Sequence, residues 1–177
     1  MARRRAAVEE EFVAFATVRS GPLYRSAYFL TGGDAHLAED LVQETLGQMY
    51  AQWHRLYRPS WAGRIDNAAG YAQTVLVRAF LTHQRKRSSS ERPSRVLPEE
   101  SAHERDAALR MALVDALAQL PPRDRAVVVL RYWEDRSVEE TAVIVKVSSS
   151  AVRTRCTRAL ARLRSLLGAD LAELVAP

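Results

Sequence analysis

The chain lacks most of the features that would place it in a common function class. Cys156 is the one cysteine in 177 residues. No internal disulfide can form, which fits a reducing compartment, and a lone thiol of this kind is expected to pack on a helix. Histidine is nearly as sparse. His36, His54, His83 and His103 stand far apart, without metal-ligand spacing. No nucleophile–base arrangement, phosphate-binding glycine loop or paired-carboxylate constellation accompanies them, so no enzyme activity, metal or cofactor is expected. Apolar runs stop well short of the roughly 18–20 residues that span a bilayer, so membrane insertion is not expected. Arg3-Arg4-Arg5 leads into Glu9-Glu10-Glu11 and not into an apolar stretch, so it is no secretory signal, and a cytoplasmic location is expected. Lysine is also scarce, since 24 of the 26 basic residues are arginine and only Lys86 and Lys146 are not. Arginine forks phosphates and guanine edges, although a GC-rich genome produces the same bias.

What is present is a soluble composition, 47% apolar and 27% charged, in a chain long enough for one sizeable core or two small ones. The net charge of +5 is unevenly spread. Residues 1–87 carry +4, residues 88–108 carry −2 and residues 109–177 carry +3, so two basic blocks flank an acidic connector. Apolar residues recur at three and four, which predicts an all-α fold. A first stretch runs through Phe12, Phe15, Leu23, Ala27 and Leu30, with a kink or break expected at Gly21-Pro22. Asp34 is placed to cap a second helix carrying Leu46, Met49, Trp53 and Leu56, residues 57–69 form a loop, and a third helix follows from about Gly70 to Arg87. The polar, aperiodic stretch with Ser88-Ser89-Ser90, Pro93 and Pro98 is a linker. Two small helical domains are therefore expected, over 8–87 and 109–168, joined by a flexible linker over 88–108 and followed by a tail over 169–177.

The most specific local feature is Val138 to Thr157, which has the spacing of a helix-turn-helix. Ala142 is small enough for the helix crossing, Val152 anchors the second helix ten residues later, and Val145 and Val147 fill the space between. Lys146 occupies the turn position where glycine is usual, which predicts a strained or altered turn. The second helix starts at Ser148 or Ser149 and buries a seam of Val152, Cys156, Ala159 and Leu163. Away from that seam lie Ser150, Arg153, Thr154, Thr157 and Arg158, with Arg155 and Arg162 on the flank. Arg153 and Arg158 are expected to project from one face, suited to guanine edges in a major groove.

Asp40-Leu41-Val42-Gln43-Glu44-Thr45 resembles the region 2 signature of bacterial sigma factors, and Leu23 to Gly32 resembles the lead-in of actinobacterial members of the extracytoplasmic-function group, of the SigE-like type. Leu120-Pro121-Pro122-Arg123, Leu130-Arg131-Tyr132, Ser137-Val138-Glu139-Glu140 and Val152-Arg153-Thr154-Arg155 resemble region 4. The likeness spans roughly residues 10 to 168. It implies a subunit that directs RNA polymerase to promoters, with core polymerase (the largest-subunit clamp and the flap) and promoter DNA as partners and an anti-sigma protein as a further one. It implies polymerase binding by Asp40, Leu41, Gln43 and Glu44. It also implies −10 reading and melting by Trp61, Arg64, Asn67, Arg78, Arg85 and Lys86, and −35 reading by Ser149, Ser150, Arg153, Thr154, Arg155 and Arg158. The alternative is a conventional helix-turn-helix regulator that binds operators without core polymerase.

Overall fold

The computed structural model describes residues 2–56, 67–87 and 104–168. Every described element is helical: α1 (Ala2–Thr31), α2 (Ala35–Leu56), α3 (Ala68–Arg87), α4 (Glu104–Ala118), α5 (Pro122–Val128), α6 (Val138–Val145) and α7 (Ser149–Leu167), with α5 running on into a π turn over Val129–Trp133. They form two small helical domains, α1–α3 and α4–α7. The chain between residues 88 and 103, expected as a linker, and the tail from residue 169 lie outside the described residues. α4 begins at Glu104, so the second helical stretch starts earlier than the expected 109.

The helix boundaries follow from capping chemistry. Gly32 and Gly33, at φ +68 and +90, turn the chain between α1 and α2, and the Leu37 amide donates to Asp34 Oδ1 at 3.0 Å. The Gly70 amide donates to Asn67 Oδ1 at 2.7 Å, starting α3. The chain does not break at Gly21-Pro22: α1 runs on as one helix through Pro22. Proline leaves the carbonyl four residues back without its helical donor. Here that residue is Val18, which is exposed, so water can serve its carbonyl and the helix survives.

In the first domain, Leu23, Ala27 and Leu30 of α1 meet Leu41, Met49 and Trp53 of α2 and Leu76 and Phe80 of α3. Phe12 and Phe15 close the outer end, with ring centroids 5.2 and 4.8 Å from Trp53. This core does not stop at the domain boundary. It continues into Ala126, Val127, Leu130, Ala142, Ile144, Val145 and Val152 of the second domain. A second cluster, with Leu117, Leu120, Val128, Ala159, Leu163 and Leu167, lies within the second domain alone, apart from a half-buried Phe29. The two domains thus share one core cluster, and the second domain adds another of its own.

Polar groups fasten the same boundary. Arg125, almost fully buried, donates to Leu30 O at 2.9 Å, Ala118 O at 2.9 Å and Leu120 O at 3.1 Å. The first two carbonyls belong to the C-terminal ends of α1 and α4, where helices leave acceptors unbonded and carry partial negative charge, and the third lies in the turn after α4. Burial pulls the Arg125 guanidinium down to about 10, which still leaves it charged at neutral pH. A Cβ on Gly32 would stand 2.7 Å from Ala118 Cβ, and one on Gly33 would stand 2.8 Å from Val114 Cγ1. The π turn brings Trp133 edge-on to Phe29 at 4.6 Å and places Glu134 within hydrogen-bond reach of the Ser26 hydroxyl. Nothing in the sequence pattern pointed to that π turn.

Candidate nucleic-acid interface

The helix-turn-helix is built as its spacing predicts. Ser137 and Glu140 cap α6 reciprocally: the Glu140 amide donates to Ser137 Oγ at 3.0 Å and the Ser137 amide to Glu140 Oε2 at 2.8 Å. These bonds hold the Glu140 carboxyl below its usual range, the Ser137 backbone amide contributing most. Lys146 ends α6 in the left-handed region, at φ 56 and ψ 56, and the Val147 amide donates to Ala142 O at 3.1 Å. The special backbone angle inferred from spacing is therefore there, carried by a lysine. Ser148 caps α7 through its hydroxyl, which accepts from the Ala151 amide at 3.2 Å. Val152, Ala159 and Leu163 are buried and Cys156 is half-buried against the shared core. Burial pushes the Cys156 thiol up, with Arg131 and Tyr132 acting in the opposite direction.

Ser150, Arg153, Thr154, Thr157 and Arg158 are all exposed, and Ser149 and Arg155 are half-exposed. The arginines nevertheless do not share one face. Arg153 Nη2 lies 3.6 Å from Glu139 Oε1, beside α6, with both side chains well exposed. Arg158 turns the other way, toward α5, where Nε and Nη2 fork the carboxylate of Asp124 at 3.1 and 2.7 Å. Five residues advance an α-helix by about 140° past a full turn, so a common face for the two was not available. Arg155 Nη1 reaches the same carboxylate at 2.5 Å. Sequence reading missed Asp124, because an aspartate after Pro-Pro looks like an ordinary first-turn acid and its partners lie 31 and 34 positions away.

On α2, Asp40, Gln43 and Glu44 are exposed on one face, and Gln48 Nε2 donates to Glu44 Oε1 at 3.0 Å. Leu41, grouped with them by resemblance, is 1% exposed and faces the core, so it supports that surface without being part of it. On α3, Arg78, Arg85 and Lys86 are exposed. Arg78 Nη2 lies 3.4 Å from Val143 O on α6, so the exposed side of α3 is turned toward the helix-turn-helix. Asn67 is spent in part on capping α3. Trp61 and Arg64 lie outside the described residues. Among the described residues, no group of His, Cys, Asp or Glu could hold a metal ion, and no helix is long and apolar enough to cross a membrane.

The family model for sigma-70 region 4 matches residues 110–163, which hold most of α4, all of α5 and α6 and most of α7. RNA polymerase sigma-E factor of Streptomyces coelicolor is 37% identical over 165 residues, covering 91% of this chain and 89% of that protein. The sigma-E factor of Streptomyces avermitilis is 36% identical over 161 residues, covering 89% and 85%. The chain belongs to the RNA polymerase sigma factors. It falls in their extracytoplasmic-function group, as does ShbA of Streptomyces griseus, 36% identical over 149 residues, covering 77% of this chain and 75% of that protein. The family is not one of enzymes. Among solved structures, the fold resembles the sigma factor RpoE in complex with the anti-sigma factor NepR from Bartonella quintana, with a TM-score of 0.63 and 23% identity, covering 91% of this chain and 99% of that one. It also resembles CnrH in complex with the cytosolic domain of CnrY, with a TM-score of 0.61 and 23% identity over 92% and 90%. As a sigma factor, the chain serves promoter-directed initiation of transcription by core RNA polymerase.

Proposed function

We propose a division of labour within this sigma factor. Residues 8–87 bind core polymerase and read and melt the −10 element. Residues 109–168 read the −35 element, with residues 88–108 joining the two. Asp40, Gln43 and Glu44 supply the polymerase contact on α2, with Leu41 buried behind them. Arg78, Arg85 and Lys86 hold −10 phosphates, while Asn67, with Trp61 and Arg64 before it in the sequence, meets the melted strand. Ser149, Ser150, Arg153, Thr154, Arg155 and Arg158 meet the −35 duplex, with α7 in the major groove. The protein works in the cytoplasm. An anti-sigma protein is a further partner, the class named for the RpoE neighbour.

The observation that carries this reading is the pairing, in one chain, of a capped helix-turn-helix with an exposed α2 face of signature sequence. The two promoter elements lie roughly 25 base pairs apart, about 85 Å at 3.4 Å per pair. A compact chain of this length is only about 40 Å across. The domains therefore part when both elements are engaged, which also frees Arg78 from α6. Run-off transcription by core polymerase with the full chain, against fragments of the encoding genome, tests the proposal. Discrete start sites preceded by two common elements are expected. A chain that binds duplex DNA alone and leaves core polymerase unselective would instead be a conventional regulator.

A further inference from the structure

Two arginines of the recognition helix converge on one carboxylate. Asp124 is 2% exposed, and both its oxygens are used: Oδ1 accepts from Arg155 Nη1 at 2.5 Å and from Arg158 Nη2 at 3.0 Å, while Oδ2 accepts from Arg158 Nε at 3.1 Å and Nη2 at 2.7 Å. A side-on fork of this kind fixes the guanidinium plane as well as its position. Arg158 remains 61% exposed, and the fork to Asp124 leaves its Nη1 unused. Arg153 is held differently, by a single long contact of 3.6 Å to an exposed glutamate, which leaves it free to rearrange. DNA cannot easily draw Arg158 away from Asp124, because that would strip a buried carboxylate of most of its partners.

We propose that Asp124 is a positioning residue for −35 reading. It locks Arg158 as a pre-oriented cation whose free edge seats on one backbone phosphate, so setting the register in which Arg153 meets the bases. This rests on the assignment of α7 to the −35 element. Phosphate contacts fix register and base contacts specify, so a held phosphate contact governs selectivity without reading a base. The same carboxylate cancels one positive charge beside the DNA, which restrains binding to unrelated sequence.

The two effects give a signature that damage to packing would not produce. In Asp124→Asn, the shape is kept and the charge is lost. Holoenzyme carrying it should discriminate between matched and single-mismatch −35 elements about fivefold less well. It should also bind unrelated duplex more tightly, with the slope of log K against log salt steeper by about 0.9 for the one uncancelled charge. Arg158→Lys leaves Asp124 bonded to Arg155 and keeps the charge. It should lose discrimination with no change of slope, and adding Asp124→Asn to it should cost no further discrimination.

The probe is a pool of promoter fragments randomised over the upstream element, bound by reconstituted holoenzyme at several salt concentrations. Wild-type discrimination and slope in Asp124→Asn, or equal weakening on all fragments with an unchanged slope, would overturn the role of Asp124. Unaltered discrimination in Arg158→Lys would overturn it independently of how the Asp124 variant folds. A wild-type holoenzyme with no preference within the pool would remove the −35 assignment itself and this proposal with it.

Discussion

Replacing Arg125 with methionine keeps most of the side-chain volume and removes the guanidinium donors from the joint between the domains. Three hydrogen bonds from a charged group to carbonyls disappear. At about 1.5–3 kcal/mol each, the loss is roughly 5–9 kcal/mol. Against this stands the relief of no longer burying a guanidinium. Its descent from the ordinary guanidinium range to about 10 corresponds to roughly 3 kcal/mol at about 1.4 kcal/mol per pH unit. The balance predicts a net destabilisation of about 2–6 kcal/mol, read by urea unfolding followed by far-UV circular dichroism. Arg125→Lys, whose single ammonium cannot span three carbonyls, should fall between the two. A loss below about 1 kcal/mol in Arg125→Met, or a lysine variant as stable as the parent, would refute the claim that this guanidinium fastens the α1 and α4 ends together.

Alanine at Asp40, Gln43 and Glu44 together should abolish co-purification with core polymerase while leaving helical content and melting nearly unchanged; undiminished holoenzyme formation would remove the assignment. Arg153→Ala should cost about 1–3 kcal/mol and relax preference at one −35 position, whereas Arg162→Ala should weaken binding to all sequences alike and lower the salt slope by about 1. Lys146→Gly should raise unfolding stability by about 0.5–1 kcal/mol, because glycine takes φ 56 without strain. Glu140 has its carboxyl lowered in the folded state, so the stability it adds is fully present above the ordinary glutamate range and is lost as pH falls through the lowered native value. Glu140→Gln should flatten that acid limb in a pH series of unfolding curves.

The second domain was the more legible in the sequence, because its determinants are local. The capping serines, Ala142, the odd residue at the turn and the Val152 anchor all act within about fifteen positions, and a lysine at φ 56 could be foreseen from spacing alone. The α2 face was legible for the same reason, since residues at i, i+3 and i+4 share a side on any helix. What periodicity could not give was anything decided between distant segments. Leu23 and Val152 both read as core, but no pattern says that it is one core. Arg125 reads as another surface arginine until the ends of α1 and α4 converge on it. Arg158 read as a base-reading side chain because its partner, Asp124, belongs to a helix that periodicity treats separately. Pro22 misled for the opposite reason: the rule that proline breaks helices is local, and solvent access to Val18 is not.

The fit between Gly32 and Ala118 leaves no room for a methyl group, since a β-carbon at residue 32 would lie 2.7 Å from the alanine Cβ and 2.9 Å from its Cα. The backbone at Gly32 also has the positive φ that other residues resist. For a lineage, that makes two positions 86 apart in the sequence a single hereditary unit. Enlarging either side chain forces the domains apart unless the chain shifts elsewhere. Such alleles should surface in a selection for sigma factors that act without release from a restraining partner, and they should cluster at Gly32, Gly33, Val114 and Ala118 instead of on any DNA- or polymerase-facing surface.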